Sequence, residues 1–221
     1  MGNISDKLFR KEVRLAQSIL TPVFLVGTAM TLIPNYPVLI GCFWVCLGIF
    51  YSFQNMREQN DILYSILLPI AKRDIVSAKY RFVCFYEGLA FLLFIVWTVL
   101  RMTVFAGKAP YAEGVMLAPT PVFLAFVLLI FAAFNLFFVG GFFKTAWKLG
   151  KPLIIFSIAC FVIIVVSEAL PHVPGLTFLQ KPALEKPGLQ FAVLGAALII
   201  FAAVTLLSWK KASETFEQID L

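Results

Sequence analysis

Few side chains in this sequence have chemistry to offer, and most of those sit inside apolar tracts. Glu87 lies about two turns into one tract, and Asn135 near the middle of another. A carboxylate kept away from water is costly, and where it persists it often marks a pathway for substrate or protons. Glu87 is therefore a candidate gating or substrate contact, or a proton-carrying carboxyl. The plainer alternative is a carboxylate near the tract's edge that pairs with Lys144 or Arg81. Asn135 is expected to hydrogen-bond a neighbouring helix. Glu168 and His172 stand at the end of a further tract, where hydration favours the plainer reading. No line of ionisable groups joins these positions, which argues against a proton-driven carrier.

The remaining reactive groups do not assemble into a catalytic set. Cys42 and Cys46 share a helix face at i and i+4, but His172 is the sole histidine, too little for zinc. With Cys84 and Cys160 they read as small hydrophobes in the packing, without a disulfide framework. No Ser-His-Asp arrangement is present. The stretch GGFFKT, residues 140–145, has the wrong spacing for a phosphate loop and is flanked by apolar helix. The chain is expected to be no enzyme and to hold no cofactor or metal of its own.

The elements that must position these groups follow from composition. The chain of 221 residues is 61% hydrophobic and 14% charged, and has no Asp, Glu, Lys or Arg between Leu15 and Met56. A hydrocarbon core of roughly 30 Å is crossed by about 20 apolar helical residues. The expected fold is an all-α membrane protein, a single transmembrane domain over residues 1–221. Six transmembrane helices are predicted, at about 18–33, 38–55, 82–100, 120–143, 152–170 and 188–208. Pro34, Asn35, Tyr36 and Pro37 stop the first span and make the first two antiparallel neighbours. The fourth span carries Phe123, Phe126, Phe131, Phe134, Phe137, Phe138, Phe142 and Phe143 on all faces, so most must meet lipid or neighbouring helices. If some line a cavity, it suits an apolar or amphipathic substrate. No internal repeat rises above shared hydrophobicity.

Residues 3–17 read as an amphipathic interfacial helix. Ile4, Leu8, Leu15 and Ile19 form an apolar row, flanked by Phe9, Val13, Ala16 and Leu20. Asp6, Lys7, Arg10, Arg14 and Gln17 form the polar face. A small-residue cleavage site does not close the first tract, so that span is expected to be retained.

The net charge is +6 and the pI near 9.2, but no nucleic-acid-binding motif accompanies it. The basic residues instead set a topology. The N-terminus, residues 57–81, residues 144–151 and the tail carry four, five, three and two Lys or Arg, fourteen in all against four in the opposite loops. By the positive-inside rule both termini lie in the cytoplasm of a multi-pass cell-membrane protein. Tyr80, Trp147 and Trp209 then fall at the inner interface, and Tyr36 and Tyr111 at the outer.

Residues 57–81 are the longest connection on the basic side. Asn60 or Asp61 is a natural N-cap, a two-turn helix follows to Pro69, and Asp74 is a second start signal. Leu63, Tyr64, Leu67 and Leu68 are large apolar groups outside the membrane tracts. They mark a docking surface, or else lie back on the protein's own helices.

The stretch REQNDILYSILLPIAKRDIVSAKY resembles the loop between spans two and three of ABC-2-type transporter permeases. The N-terminal helix, the span count and the tail SWKKASETFEQIDL are loosely similar too. Within that family the chain looks most like the small Gram-positive permeases linked to export of amphipathic peptides such as phenol-soluble modulins. The resemblance implies a cytoplasmic coupling helix over Asp61 to Ile70 that docks on a separate ABC ATPase. Leu63, Tyr64, Leu67 and Leu68 would fill the ATPase groove, while Glu58, Lys72, Arg73 and Asp74 set the register from its rim. The N-terminal helix would be the family's elbow helix. ATP and Mg would be bound by that partner, and a homodimer would rock between inward- and outward-facing states. The alternatives are a non-transporting membrane immunity or regulatory protein, and a channel or secondary carrier.

Overall fold

In the computed structural model, which describes residues 4–67, 69–108, 111, 116–145, 148–181 and 184–218, every regular element is a helix. Helix α1 (Ile4–Lys11) runs into a π-helical turn, Glu12–Ala16. Helix α2 (Leu20–Phe24) continues as a 3-10 stretch, Leu25–Leu32. There follow α3 (Ile40–Glu58), α4 (Asp61–Ile66) and α5 (Lys72–Thr103). Helix α6 (Pro121–Ala133) passes through a π-helical segment, Phe134–Val139, into α7 (Gly140–Lys144). Helices α8 (Gly150–Ala169) and α9 (Pro187–Glu217) complete the chain.

The breaks have local causes. Pro121 and Pro187 open α6 and α9, where a missing N–H costs nothing. Asn35 and Asn60 adopt φ of +50° and +54°, a conformation asparagine tolerates better than most residues. The first turns the chain between the first span and α3, and the second separates α3 from α4.

The first two spans pack antiparallel, as the proline turn requires. Small residues let them approach. A Cβ on Gly48 would lie 2.7 Å from Phe24 Cβ, and one on Gly27 would lie 2.9 Å from Trp44 Cβ. Thr21 Oγ1 donates to Gly48 O at 2.8 Å across the same contact. The 3-10 stretch compensates for shortness. With rises of 2.0 and 1.5 Å per residue, Leu20 to Leu32 covers about 24 Å.

Among the described residues, four helices are long and apolar enough to cross a membrane: Lys72–Thr103, Pro121–Lys144, Gly150–His172 and Pro187–Glu217. A fifth arises if the segments Asp6–Leu15 and Leu20–Leu32, which meet at 83°, count as one bent span. The second expected span, α3, has 19 residues but ends on Gln54, Asn55, Arg57 and Glu58, which dilute its apolar character. Helix α5 has 32 residues and no break before the span, so the start expected at Asp74 lies inside it. Helix α9 likewise carries on through the tail to Glu217.

Burial separates the centre from the rim. The apolar window of α6–α7 is 78% buried, against 33% in α5 and 17% in both α8 and α9. The phenylalanine-rich span is therefore the core helix and has little lipid face. Phe123, Phe131, Phe134, Phe138, Phe142 and Phe143 are all buried, and only Phe137 is exposed among the eight. Phe134, Phe138, Phe142 and Phe143 meet Phe53, Phe156 and Phe216 at ring separations of 5.0–5.4 Å, so these four fill the interior. Tyr80 is buried too and is not an interfacial side chain; Trp147 lies outside the described residues.

Candidate functional site: two buried polar clusters on α5

Along α5, Ile75, Val76, Lys79, Phe82, Val83 and Tyr86 are all buried, the spacing of one helix face packed against neighbours. A lysine thus occupies a core position. Its side chain is fully buried, and Nζ reaches three groups at once: the Glu12 carboxylate, the Met56 sulfur, and Asp61 Oδ2 at 2.9 Å. The second Asp61 oxygen, Oδ1, lies 2.6 Å from Lys11 Nζ. Lys11 also donates to Ser65 Oγ at 2.6 Å, and Ser65 Oγ donates back to Asp61 O at 2.8 Å. Two cations and two anions therefore balance in one site where α1, the π-turn after it, α4 and α5 converge.

Burial alone would raise the Asp61 carboxyl, but Lys79 and Lys11 outweigh it and hold the group below the usual carboxylate value. Such a cluster tolerates burial because every charge has its counter-charge; removing one partner leaves the others stranded.

Helix α4 ends at Ile66 and does not reach Ile70, because the chain turns at Leu67 ahead of Pro69. Tyr64 and Leu67 are 61% and 84% exposed, three residues apart and free of the protein's own helices. The Leu63 side chain and Leu68 lie outside the described residues. Ile66 and Ile70 pack against the core. Glu58 is exposed and accepts from Gln54 Nε2, Lys72 and Asp74 are half-buried, and the Arg73 guanidinium lies 4.9 Å from the Trp209 ring centroid. Asp61, grouped with these from sequence, turns inward to the ion cluster.

The sequence reading did not single out Lys11, Glu12, Ser65 or Lys79. Two signals were present. Glu12 fills the gap in the apolar row of Leu8 and Leu15, four residues after one and three before the other. Lys79 interrupts the apolar stripe of α5. The π-turn then splits the row, burying Leu8 and Glu12 while Leu15 and Ile19 stay exposed.

The second cluster lies deeper along α5. Glu87 and Asn135 are both buried, and Asn135 Nδ2 donates to Glu87 Oε2 at 2.9 Å and to Thr205 Oγ1 of α9 at 3.0 Å. The expected pairing of Glu87 with Lys144 or Arg81 is not what the structure shows. The π-segment explains the neighbourhood. Gly140 N–H donates to Asn135 O five residues back, and Ser208 Oγ donates to the same carbonyl at 2.7 Å. Tyr80 Oη and Ser208 Oγ are 2.7 Å apart. A Cβ on Gly140 would lie 2.7 Å from Ser208 Oγ, so the glycine is what admits this contact. Glu87 Oε1 and Asn135 Oδ1 have no hydrogen-bond partner among the described residues. At the far end of α8, Glu168 Oε2 accepts from Leu117 N at 3.1 Å.

Two cavities flank the half of α9 nearest the ion cluster. One of about 290 Å³ lies against α5, with Cys84, Thr205, Leu206 and Arg81 in its wall. The other, about 440 Å³, lies against α7 and is bounded by Phe137, Ile155, Lys144 and Lys211.

A family model described as "ABC-2 family transporter protein" matches residues 7–217, which takes in both clusters and every helix. No curated protein and no solved structure matches the chain.

Proposed function

The chain belongs to the ABC-2 family of transporters, as a multi-pass membrane protein, and from this premise we propose that it is the permease subunit of an ABC exporter powered by a separate ATPase. In this reading the cytoplasmic ATPase binds ATP and Mg, and the permease supplies the path. Helix α4 is the coupling helix. Tyr64 and Leu67, with the neighbouring Leu63 and Leu68, enter a groove on the ATPase, while Glu58, Lys72, Arg73 and Asp74 meet its rim.

Six spans are proposed: the four helices that are long and apolar enough, with Leu20–Leu32 and α3 as the two shorter ones. The right-angled approach of α1 to the first span suits an elbow helix lying in the membrane plane. The fourteen-to-four excess of basic residues supports a topology with both termini in the cytoplasm.

Two copies would surround a shared pathway, with the sparsely buried faces of α8 and α9 available to the partner or to lipid. The substrate is an amphipathic or hydrophobic molecule, a peptide of the phenol-soluble-modulin kind, moved outward by alternating access. The apolar walls of the cavities beside α9 favour this class over sugars or ions. Glu87 and Asn135 are the proposed gating pair.

One observation carries the reading: α4 is held on its inner face by buried ions while Tyr64 and Leu67 are exposed on the other side. Co-purification of the ATPase encoded beside this chain tests it, with wild-type protein and with Leu67→Asp/Leu68→Asp. The wild type is expected to retain the ATPase and stimulate its activity, and the folded double variant to lose it. Equal retention by both would put docking elsewhere. Failure of the wild type to hold any ATPase would favour a non-transporting immunity or regulatory protein.

A further inference from the structure

Helix α4 has six residues, too few to hold its own shape or position in water. What fixes it is therefore what it is tied to. Its outward face is the exposed pair Tyr64 and Leu67; its inward face offers Asp61 and Ser65, four residues apart, and Ile66. Both polar groups end on lysines from elsewhere in the chain. Asp61 meets Lys79 of α5 and Lys11 of α1, and Ser65 meets Lys11. Glu12 closes the circuit by taking Lys79 from the other side. The three helices thus share one neutral knot, with Lys79 at its centre and no water contact for that side chain.

We propose that Lys79, Asp61, Glu12 and Lys11 form a buried ionic joint through which a load on α4 is passed to α1 and α5 together, making the three helices one moving body. The proposal rests on the reading of α4 as the ATPase-docking helix and goes beyond it by naming the residues that carry the motion inward. These are positioning residues and touch no substrate.

The geometry favours an ionic joint over an apolar one in two ways. Opposite charges buried together resist separation at once, because each displaced partner would be left uncompensated. An apolar contact can slide without such a penalty. Helix α5 is also a suitable lever. It is unbroken from Lys72 to Thr103, and Glu87 lies eight residues beyond Lys79, about 12 Å along the axis at 1.5 Å per residue. A shift at the joint therefore reaches the Glu87–Asn135 cluster through a single rigid element.

Hydrogen–deuterium exchange of the full-length chain in nanodiscs tests the joint without any partner. The variant Glu12→Gln/Asp61→Asn/Lys79→Met removes both signs at once and leaves only Lys11, whose side chain is 14% exposed and able to reach water. In this variant, amides of residues 61–67 are expected to exchange at least tenfold faster, with α6 and α8 unchanged. Should it not fold, Asp61→Asn alone, which keeps the Glu12–Lys79 pair, gives the same readout. Unaltered exchange in α4 of a folded variant overturns the joint.

A second measurement uses the complex with the co-purified ATPase. ATP binding is expected to change exchange in residues 61–67 of both proteins, but in residues 72–87 of the wild type only. A merely structural role would leave that propagated response intact. If residues 72–87 respond equally in both, the joint is refuted while docking stands. If α4 of the wild type is indifferent to the ATPase, it is the docking reading that fails.

Discussion

The two polar clusters on α5 lie two turns apart and are built on opposite rules. Around Lys79, two positive and two negative side chains are packed so that each charge is met by its opposite, and Asp61 uses both oxygens. Around Glu87, a single carboxyl is met by the Asn135 amide, which also donates to Thr205, and one acceptor on Glu87 and one on Asn135 are left over. The first is an arrangement that loses much if any member is removed. The second is looser: one hydrogen bond holds the carboxyl, spare acceptors remain, and a change of partner strands no counter-charge. A rigid joint at the end of the helix and an adaptable contact along its length are what a lever needs, and the difference separates force transmission from gating.

The contrast can be broken most directly at Lys79. Lys79→Met alone leaves Glu12 and Asp61 with only Lys11 between them and is expected to cost about 3–5 kcal/mol in denaturant or thermal unfolding of the purified chain. Adding Glu12→Gln and Asp61→Asn should restore most of that loss, and absence of recovery would mean that shape, not charge balance, holds the site. At the second cluster, Glu87→Ala deprives Asn135 Nδ2 of an acceptor and is expected to cost about 1–3 kcal/mol. Glu87→Gln keeps an acceptor oxygen and should cost less than about 1 kcal/mol in the same unfolding assay. Equal losses for the two variants would erase the distinction between charged and neutral clusters.

Acid sharpens it further. Asp61 is lowered in the folded chain, with Lys79, Lys11 and Glu12 facing it, so its contribution is fully present above the ordinary aspartate value of about 4. It is lost as pH falls through the lower folded value. Stability of the wild type should accordingly drop as pH falls below the ordinary aspartate value of about 4, and Asp61→Asn should flatten the drop. The smallest expected effect is Leu67→Asp, which should leave stability within about 0.5 kcal/mol, because the side chain is almost wholly exposed, while removing ATPase binding.

Much of this architecture was legible in residue order. Charge-free tracts mark membrane-crossing helices, prolines mark where they begin or stop, and the tail reads as helix. The site was half legible. Tyr64 and Leu67 are conspicuous as apolar groups outside the spans, and they are exposed. Asp61 was grouped with the docking surface because sequence shows a helix start but not which way its first side chain turns. Glu12 and Lys79 were missed although each breaks an apolar stripe, since either charge alone reads as a solvated residue near a span end. Only their meeting, 67 positions apart, gives them meaning. The fate of the phenylalanines was beyond reach for another reason. A helix with apolar groups on every side can be wrapped by lipid or by five other helices, and hydropathy does not distinguish the two.

The π-segment at Phe134–Val139 has a consequence for how this span tolerates change in length. Each α-helical residue advances the face by about 100°, and the wide turn takes in one residue without that advance. Gly140 and Gly141 are thereby phased to meet Ser208 of α9 and Pro152 of α8, where a Cβ would come within 2.7 and 3.1 Å. A gene losing a single codon from this stretch would keep the same hydropathy and the same residue types, yet swing both glycines off their neighbours and put bulk where backbone now fits. The packing of this span thus depends on its count of residues as well as on their kind, and a one-residue deletion here should be worse tolerated than many substitutions.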